Sequence, residues 1–355
     1  MGFQHVHPFN WRNLGLPDLE SVQHGEVSIT NGNVSVTDTI TAVVKNKSIL
    51  LFTYTTEEGS EVPHQEITRG VLTNSTTLTF DTDTANSDKI NIAWTVIEFK
   101  ASSHMNVQHF AGTVTGSSNN ITLSTIDQAH TFPILTYTVG NTVLDSDNYG
   151  GAEISSNTNC ILRWSGVSGN KYGLQIVEYD EWDVTAYTDS MAQPDTLENT
   201  PITAVDLSET MLFSSCYDDG TGAVATGDQL VTLGFSSTTN IQVYRRVSGH
   251  TLDFFHYVVE TNGKVLCDHD NNESIGTGSA TASWNHTAIN WANSAYRNNT
   301  GIPSWGNNQT DALSRGEDLA FKLTNTNSTT GLQRRGFTAT AVARGSHSVY
   351  DFSGS

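Results

Sequence analysis

The sequence predicts an all-β protein of four tandem antiparallel β-sandwich repeats of about 80–90 residues, preceded by an extended N-terminal arm. Composition is the first reason, since 15% of the 355 residues are charged and 36% are hydrophobic. Thr, Ser, Asn and Gly fill much of the remainder, and they favour strands and turns over helices. The second reason is an internal repeat that three separate markers reveal.

The internal repeat has a period of about 80 residues. Its markers are an aliphatic residue before a hydrophobic strand, a hydrophobic residue before a Ser/Thr/Asn-rich turn, and an acid in the closing strand. These markers occur at Val43, Ile126, Val205 and Ile289, at Leu72, Ile154, Phe235 and Leu323, and at Glu98, Glu178, Glu260 and Asp351. Because the acids recur in every copy, we expect them to have a structural role.

Each repeat has the pattern of a small two-sheet sandwich. In the closing strand of the first repeat, hydrophobic and polar residues alternate, so that one face is buried; the hydrophobic residues are Ile90, Ile92, Trp94 and Val96. About six or seven such strands per repeat predict two packed sheets. The arm is assigned to residues 1–20 and the repeats to 21–99, 104–180, 183–260 and 263–352. Short linkers predict four separate cores joined end to end in a rod or arc.

The N-terminal arm carries aromatic and histidine residues at alternating positions, namely Phe3, His5, His7, Phe9 and Trp11. In an extended conformation these side chains lie on one face, and Pro8 restricts the strand to a sheet edge. So short an arm cannot bury its own aromatic side chains. We therefore predict that it docks on a partner, with packing on the first repeat as the alternative.

Charge and the N-terminus limit the partners and the location. The formal net charge of −20 disfavours nucleic acid and anionic lipid as partners. No signal segment and no long apolar run is present, so we expect synthesis in a host cytoplasm without membrane insertion. Three widely spaced cysteines predict buried reduced thiols.

Two groups of residues are candidate binding sites. Asp145, Asp147 and Asn148 offer clustered oxygen atoms that suit calcium, the one cofactor we consider; a solvated acidic turn is the alternative. The divergent fourth repeat contains Trp284, Trp291, Tyr296 and Trp305, which could stack on a glycan; burial is the alternative. The sequence contains no catalytic motif, so we assign no catalytic residue and expect that the protein is not an enzyme.

The first repeat resembles the H-type lectin unit. It opens with Val22-Gln-His-Gly25 and closes with Ile92-Ala-Trp94-Thr-Val-Ile-Glu98, where that family has a Val-Gln-Ser-Gly-like strand and an Ile-x-Trp strand. The third and fourth repeats lack the opening motif. The resemblance implies a six-stranded antiparallel sandwich and a homo-oligomer, with a trimer favoured, that binds sugars between subunits. No sugar-binding residue is carried over.

The whole chain resembles repeat-built surface proteins of tailed viruses of bacteria or archaea, such as tail fibres, head fibres, spikes and capsid decoration proteins. The similarity lies in the Thr/Asn-rich tandem sandwiches, the arm and the missing secretion signal. It implies a structural protein of the virion surface that is attached to other virion proteins by its arm and contacts host surface glycans. A cellular multivalent sugar-binding lectin array is the alternative, and an enzyme acting on polysaccharide is the least favoured hypothesis.

Overall fold

The computed structural model contains strands and short 3-10 helices, and its described part contains no α-helix. The predicted all-β class of tandem sandwich-like repeats is therefore confirmed. The described residues are 19–57, 67–85, 89–140, 149–165, 169–218, 231–245, 249–275, 281–285, 294–298, 307–308, 322–327, 330–334 and 343–352; side chains are described up to residue 269 and again from residue 348.

Six strands form the first repeat, and they build two three-stranded antiparallel sheets. The strands are β1 (Leu19–Ile29), β2 (Ser35–Thr39), β3 (Ser48–Glu57), β4 (Arg69–Asn74), β5 (Thr77–Asp81) and β6 (Lys89–Phe99). The sheet orders are β1-β6-β3 and β2-β5-β4. Strand β1 begins at Leu19, so the last two residues assigned to the arm belong to the first repeat.

The same strand order recurs in the other repeats. The second repeat contains β7 (Asn106–Thr113), β8 (Ser118–Thr122), β9 (Thr131–Tyr137), β10 (Gly151–Ser156), β11 (Asn159–Arg163) and β12 (Lys171–Glu178). The third contains β13 (Asp183–Met191), β14 (Leu197–Pro201), β15 (Thr210–Asp218), β16 (Val231–Ser237), β17 (Asn240–Arg245) and β18 (Leu252–Glu260). In each repeat the first, sixth and third strands form one sheet, and the second, fifth and fourth strands form the other.

The fourth repeat keeps this order although its sequence is the most divergent. Its strands are β19 (Leu266–Ile275), β20 (Thr281–Asn285), β21 (Ser294–Asn298), β22 (Asn307–Asn308), β23 (Lys322–Asn327), β24 (Thr330–Arg334) and β25 (Ala343–Asp351). The sheets are β19-β25-β21 and β20-β24-β23, and the additional strand β22 pairs with β25.

The recurring acid connects the closing strand by a hydrogen bond to the segment that precedes the third strand. In the first repeat, Glu98 Oε1 accepts a hydrogen bond from the Val44 backbone N–H at 2.7 Å. In the second, Glu178 Oε1 accepts one from the Asp127 N–H at 2.6 Å. Each accepting residue therefore satisfies a backbone donor at the start of a 3-10 helix, η1 (Lys45–Lys47) or η2 (Gln128–His130). The structural role expected for the acids is confirmed in these two repeats.

The alternation in the closing strand places one set of side chains inside the sandwich. Ile90, Ile92 and Val96 are fully buried, and Trp94 is 6% exposed. The interiors of the first three sandwiches are not separate, because their buried residues form one continuous hydrophobic cluster. The expectation of one isolated core per repeat is therefore wrong for these three repeats, because neighbouring sandwiches touch through apolar side chains.

A second hydrophobic cluster lies between the repeats and contains residues from all four. It forms because the sheet of first, sixth and third strands is apolar on both faces. In β6, for example, Val96 faces the sandwich, whereas Ile97 and Phe99 face the shared cluster. A sheet that buries both faces needs a neighbour on its outer side, and here the other repeats supply it.

The four repeats close into a ring. The fourth strand of each repeat packs against the next repeat: β4 on β9 and β12, β10 on β15 and β18, β16 on β19 and β25, and β23 on β3 and β6. The last contact joins the fourth repeat to the first. Phe352 and Phe99 confirm this closure with ring centroids 6.3 Å apart. The predicted rod or arc is therefore wrong, because the shared apolar surface is buried fully only when the ends meet.

The third strand is a sheet edge, and its backbone is accommodated differently in each of the first three repeats. The Leu50 N–H and C=O bond to the side-chain amide of Gln175, both at 2.8 Å. The Leu212 N–H and C=O bond to the Tyr350 hydroxyl at 3.4 and 3.3 Å. At the matching position of β9 the residue is Pro133, which has no N–H to satisfy. Each edge strand is thereby covered without extending a sheet into its neighbour.

We predict that Phe99→Ala destabilises the whole ring, because it removes an aromatic side chain that is fully buried where the first, second and fourth repeats meet. The free energy of unfolding in urea should fall by about 3–5 kcal/mol. Leu197→Ala, at a side chain that is 46% exposed, should change it by less than about 0.5 kcal/mol. A small effect of Phe99→Ala would contradict the conclusion that one hydrophobic cluster stabilises all four repeats together.

Candidate functional site

A cleft of about 550 Å³ opens at the junction between the second and third repeats. Strands β10 and β11 form one side of it, and β13, β15 and β18 form the other. It is lined by Glu153, Arg163, Thr188, Asp189, Ser190, Tyr217, Asp253, Phe254 and Phe255. The lining therefore combines carboxylates, hydroxyls, one guanidinium and aromatic rings, the mixture of apolar wall and convergent polar groups that characterises ligand sites.

An ion pair defines the polar side of the cleft in the second repeat. Arg163 Nε donates to Glu153 Oε2 at 2.7 Å, and Arg163 Nη2 also contacts the same oxygen. Both side chains are about one-third exposed, so the pair contributes little to stability, about 0–1 kcal/mol. Its main effect is to orient the guanidinium beside the cleft.

The strands on the opposite side carry two aspartates on opposite faces of their sheet. Asp189 pairs with Phe254 on the face towards the sandwich interior, where its carboxylate accepts hydrogen bonds from the Thr200 hydroxyl of β14 and from the Ser190 backbone N–H. Asp253 lies on the central strand β18, is partly exposed, and has no hydrogen-bond partner within the described residues. The cleft thus contains a carboxylate that is free to accept hydrogen bonds from a ligand.

Two stacked aromatic rings form the apolar wall. Tyr217 and Phe255 lie nearly parallel, with an interplanar angle of 8° and centroids 5.9 Å apart. Gly151 allows β10 to approach them closely, since a Cβ atom there would lie 2.8 Å from the Phe255 ring. The wall depends on this close approach of two repeats.

The first residue of the fourth strand explains why the first junction differs. In β4 this residue is Arg69, which forms an ion pair with Asp81 at 2.6 Å and donates to the Tyr172 carbonyl of the second repeat. In β10 the same position is Gly151, which pairs with Arg163. The side chain that bridges the first junction is therefore missing at the second, where the cleft lies.

A serine and a histidine in the third repeat have the spacing of a catalytic pair, but they lie inside the sandwich. Ser214 Oγ is 2.8 Å from His256 Nδ1. His256 is fully buried, stacked on Phe254, and burial lowers its pKa to about 4. Neither Ser214 nor His256 lines the cleft. We therefore treat the pair as part of the core.

Two half-buried histidines connect neighbouring repeats. His109 Nε2 donates to the carbonyls of Lys45 and Ser48 in the first repeat, at 2.9 and 3.1 Å. His269 Nε2 donates to the Thr210 carbonyl of the third repeat at 2.7 Å. Burial lowers the pKa of His109 to about 4 and also lowers the pKa of His269. Both residues are neutral donors at equivalent junctions.

The three cysteines are buried and reduced, as predicted. Burial raises the pKa of Cys160 and of Cys216 to about 12 and also raises that of Cys267. Because the thiolate is the reactive form, these thiols are inert at neutral pH.

None of the residues selected from the sequence is among the described residues that line the cleft. Trp284 is in β20 and Tyr296 is in β21, but their side chains are outside the described part. The arm residues Phe3, His5, His7, Phe9 and Trp11, the acidic residues Asp145, Asp147 and Asn148, and Trp291 and Trp305 all lie outside the described residues. The cleft residues were missed because they come from two repeats and no local motif joins them.

Comparison with known proteins leaves the resemblances as predictions: no protein-family model matches the chain, and no curated protein matches it. Among the described residues, no group of three or more His, Cys, Asp or Glu side chains is placed to hold a metal ion. The described segments also include no helix of the length and apolarity needed to cross a membrane.

We predict that acid weakens the ring through its neutral histidines. The unfolded chain binds protons below pH 6.5, whereas His109 in the folded protein does so only near pH 4. The contribution of His109 is therefore fully present only above pH 6.5 and is lost as the pH drops towards 4, at up to about 1.4 kcal/mol per pH unit.

The measurement is the free energy of unfolding between pH 6.5 and 4.5. His109→Gln keeps a donor but cannot titrate, so its pH slope should be smaller than that of the unaltered protein by about 1.4 kcal/mol per pH unit. Leu197→Ala, at an exposed side chain that does not titrate, should leave the slope unchanged. Equal slopes for all three proteins would contradict the assignment.

Proposed function

We propose that the chain is a non-enzymatic structural protein of a virion surface, such as a tail or head fibre, spike or capsid decoration protein. Its N-terminal arm would attach it to other virion proteins, and its four-repeat ring would form the body and contact host surface glycans. The observation that carries the proposal is ring closure through one shared core. Such a core makes four repeats one stiff unit, as a component exposed outside a cell requires.

The described residues give more support to a structural role than to catalysis. The histidine with a serine partner is buried, and the three thiols are unreactive. The net charge of −20 suits a soluble surface protein that repels nucleic acid and anionic membranes. Self-association, with a trimer favoured, belongs to the same proposal.

A cellular multivalent lectin is the second candidate. The cleft between the second and third repeats favours it, because a ligand site at a repeat junction suits a binding protein. The two candidates differ in whether the chain is a component of a particle.

Deletion of residues 1–18 tests the proposal. Because β1 begins at Leu19, the deletion leaves every described strand intact, and thermal unfolding should be unchanged to within a few degrees. The shortened chain should be lost from purified particles, as measured by immunoblotting and immunogold electron microscopy.

A full-length Leu197→Ala variant serves as the control, since it alters an exposed side chain and keeps the arm. It should remain on particles. Retention of the shortened chain on particles would rule out attachment by the arm, and absence of the full-length chain from any particle would favour the cellular lectin.

A further inference from the structure

We infer that the cleft between the second and third repeats binds a neutral saccharide. This inference rests on the proposed function, because it specifies the class of glycan that the surface protein would contact. It places the site at a repeat junction rather than on the aromatic residues of the fourth repeat. The volume of about 550 Å³ lies within the range of about 300 to 1,000 Å³ that is usual for small-molecule sites.

The polar groups of the cleft match a ligand that carries many hydroxyl donors. Glu153 and Asp253 are hydrogen-bond acceptors when ionised. Asp253 has no partner in the described part of the chain, so its two oxygens can accept from a pair of adjacent hydroxyls. Such charge-assisted hydrogen bonds are stronger than neutral ones. Thr188 and Ser190 add hydroxyls on the same side.

The aromatic wall matches the other property of a sugar ring, its apolar C–H face. Tyr217 is partly exposed and stacks on Phe255, which is 6% exposed and therefore holds the tyrosine ring in place. A saccharide could pack its C–H face on Tyr217 while its hydroxyls reach Asp253, which pairs with Tyr217 on the same face of the sheet. The cleft thus offers an aromatic ring to the apolar face of a sugar and polar groups to its hydroxyls.

The charge balance selects against acidic saccharides. The side chains that face the cleft include two carboxylates, Glu153 and Asp253, and one guanidinium, which is paired with Glu153. A ligand carrying a carboxylate or sulfate would face excess negative charge without a free cation to bind it. A neutral saccharide avoids this repulsion.

The first junction provides a comparison within the same chain. There, Arg69 bridges the repeats by donating to the Tyr172 carbonyl, and Lys171 lies 3.8 Å from Asp83. These contacts occupy the polar groups that would otherwise meet a ligand. We therefore expect no saccharide site of this composition at the first junction.

The inference is tested with the full chain and a panel of soluble saccharides. Lactose, maltose, cellobiose and chitobiose represent neutral ligands, and sialyllactose and glucuronic acid represent acidic ones. Saturation-transfer NMR and isothermal titration calorimetry measure binding. We expect at least one neutral saccharide to bind, and the acidic ones to bind at least about tenfold more weakly.

Two variants connect binding to the cleft. Asp253→Asn keeps the shape but removes the charged acceptor, and Tyr217→Leu removes the aromatic face; each should weaken binding by about tenfold or more. Glu20→Gln, which removes an exposed carboxylate on β1 in the first repeat, should bind like the unaltered protein. Thermal unfolding checks that each variant is folded, and Asp253→Asn decides alone if Tyr217→Leu is not.

The inference would be overturned by no binding across the panel, by a preference for the acidic saccharides, or by binding that Asp253→Asn leaves unchanged. The assay uses isolated protein, whereas the proposed virion role is measured on particles. A failed binding assay with normal particle attachment would therefore reject the saccharide site alone, and lost particle association with normal binding would reject the virion role alone.

Discussion

The structure depends on a circuit of aromatic side chains that passes through all four repeats. Phe352 of the fourth repeat contacts Phe99 of the first, which contacts Trp182 at the boundary between the second and third. Trp182 contacts Phe132, Phe132 stacks on Phe213 with centroids 4.3 Å apart, and Phe213 contacts Tyr350 back in the fourth repeat. Small sandwiches bury thin cores, so this shared cluster supplies apolar burial that a single repeat lacks. The ring closes because an open array would expose the cluster at both ends.

The four repeats share one strand order, but the residues at equivalent positions differ, and these differences make the junctions between repeats unlike one another. The backbone at the edge of the third strand meets Gln175 at one junction and Tyr350 at another, while Pro133 removes the donor at the junction between them. The same principle produces the cleft, because Arg69 bridges one junction and Gly151 occupies its position at the next. A repeat protein can thus acquire one ligand site without changing its fold.

The titratable groups of the interior are in unreactive forms. His256 is buried, His109 is half-buried, and both are neutral, while Cys160 and Cys216 are buried thiols. Asp253, whose carboxylate has no hydrogen-bond partner among the described residues, lies at the cleft instead. This distribution is consistent with a molecule whose interior serves stability and whose junction surface serves recognition.

The sequence by itself determined the strand content, the repeat period and the inward face of each closing strand, because these follow from local patterns such as the alternation from Ile90 to Val96. It also indicated that the recurring acids are structural, as Glu98 and Glu178 are. Only the tertiary structure decided that the array closes and that Asp253 lies across a cleft from Arg163. Ring closure and the cleft depend on how the outer faces of different repeats fit together, and no single segment of the chain contains that information.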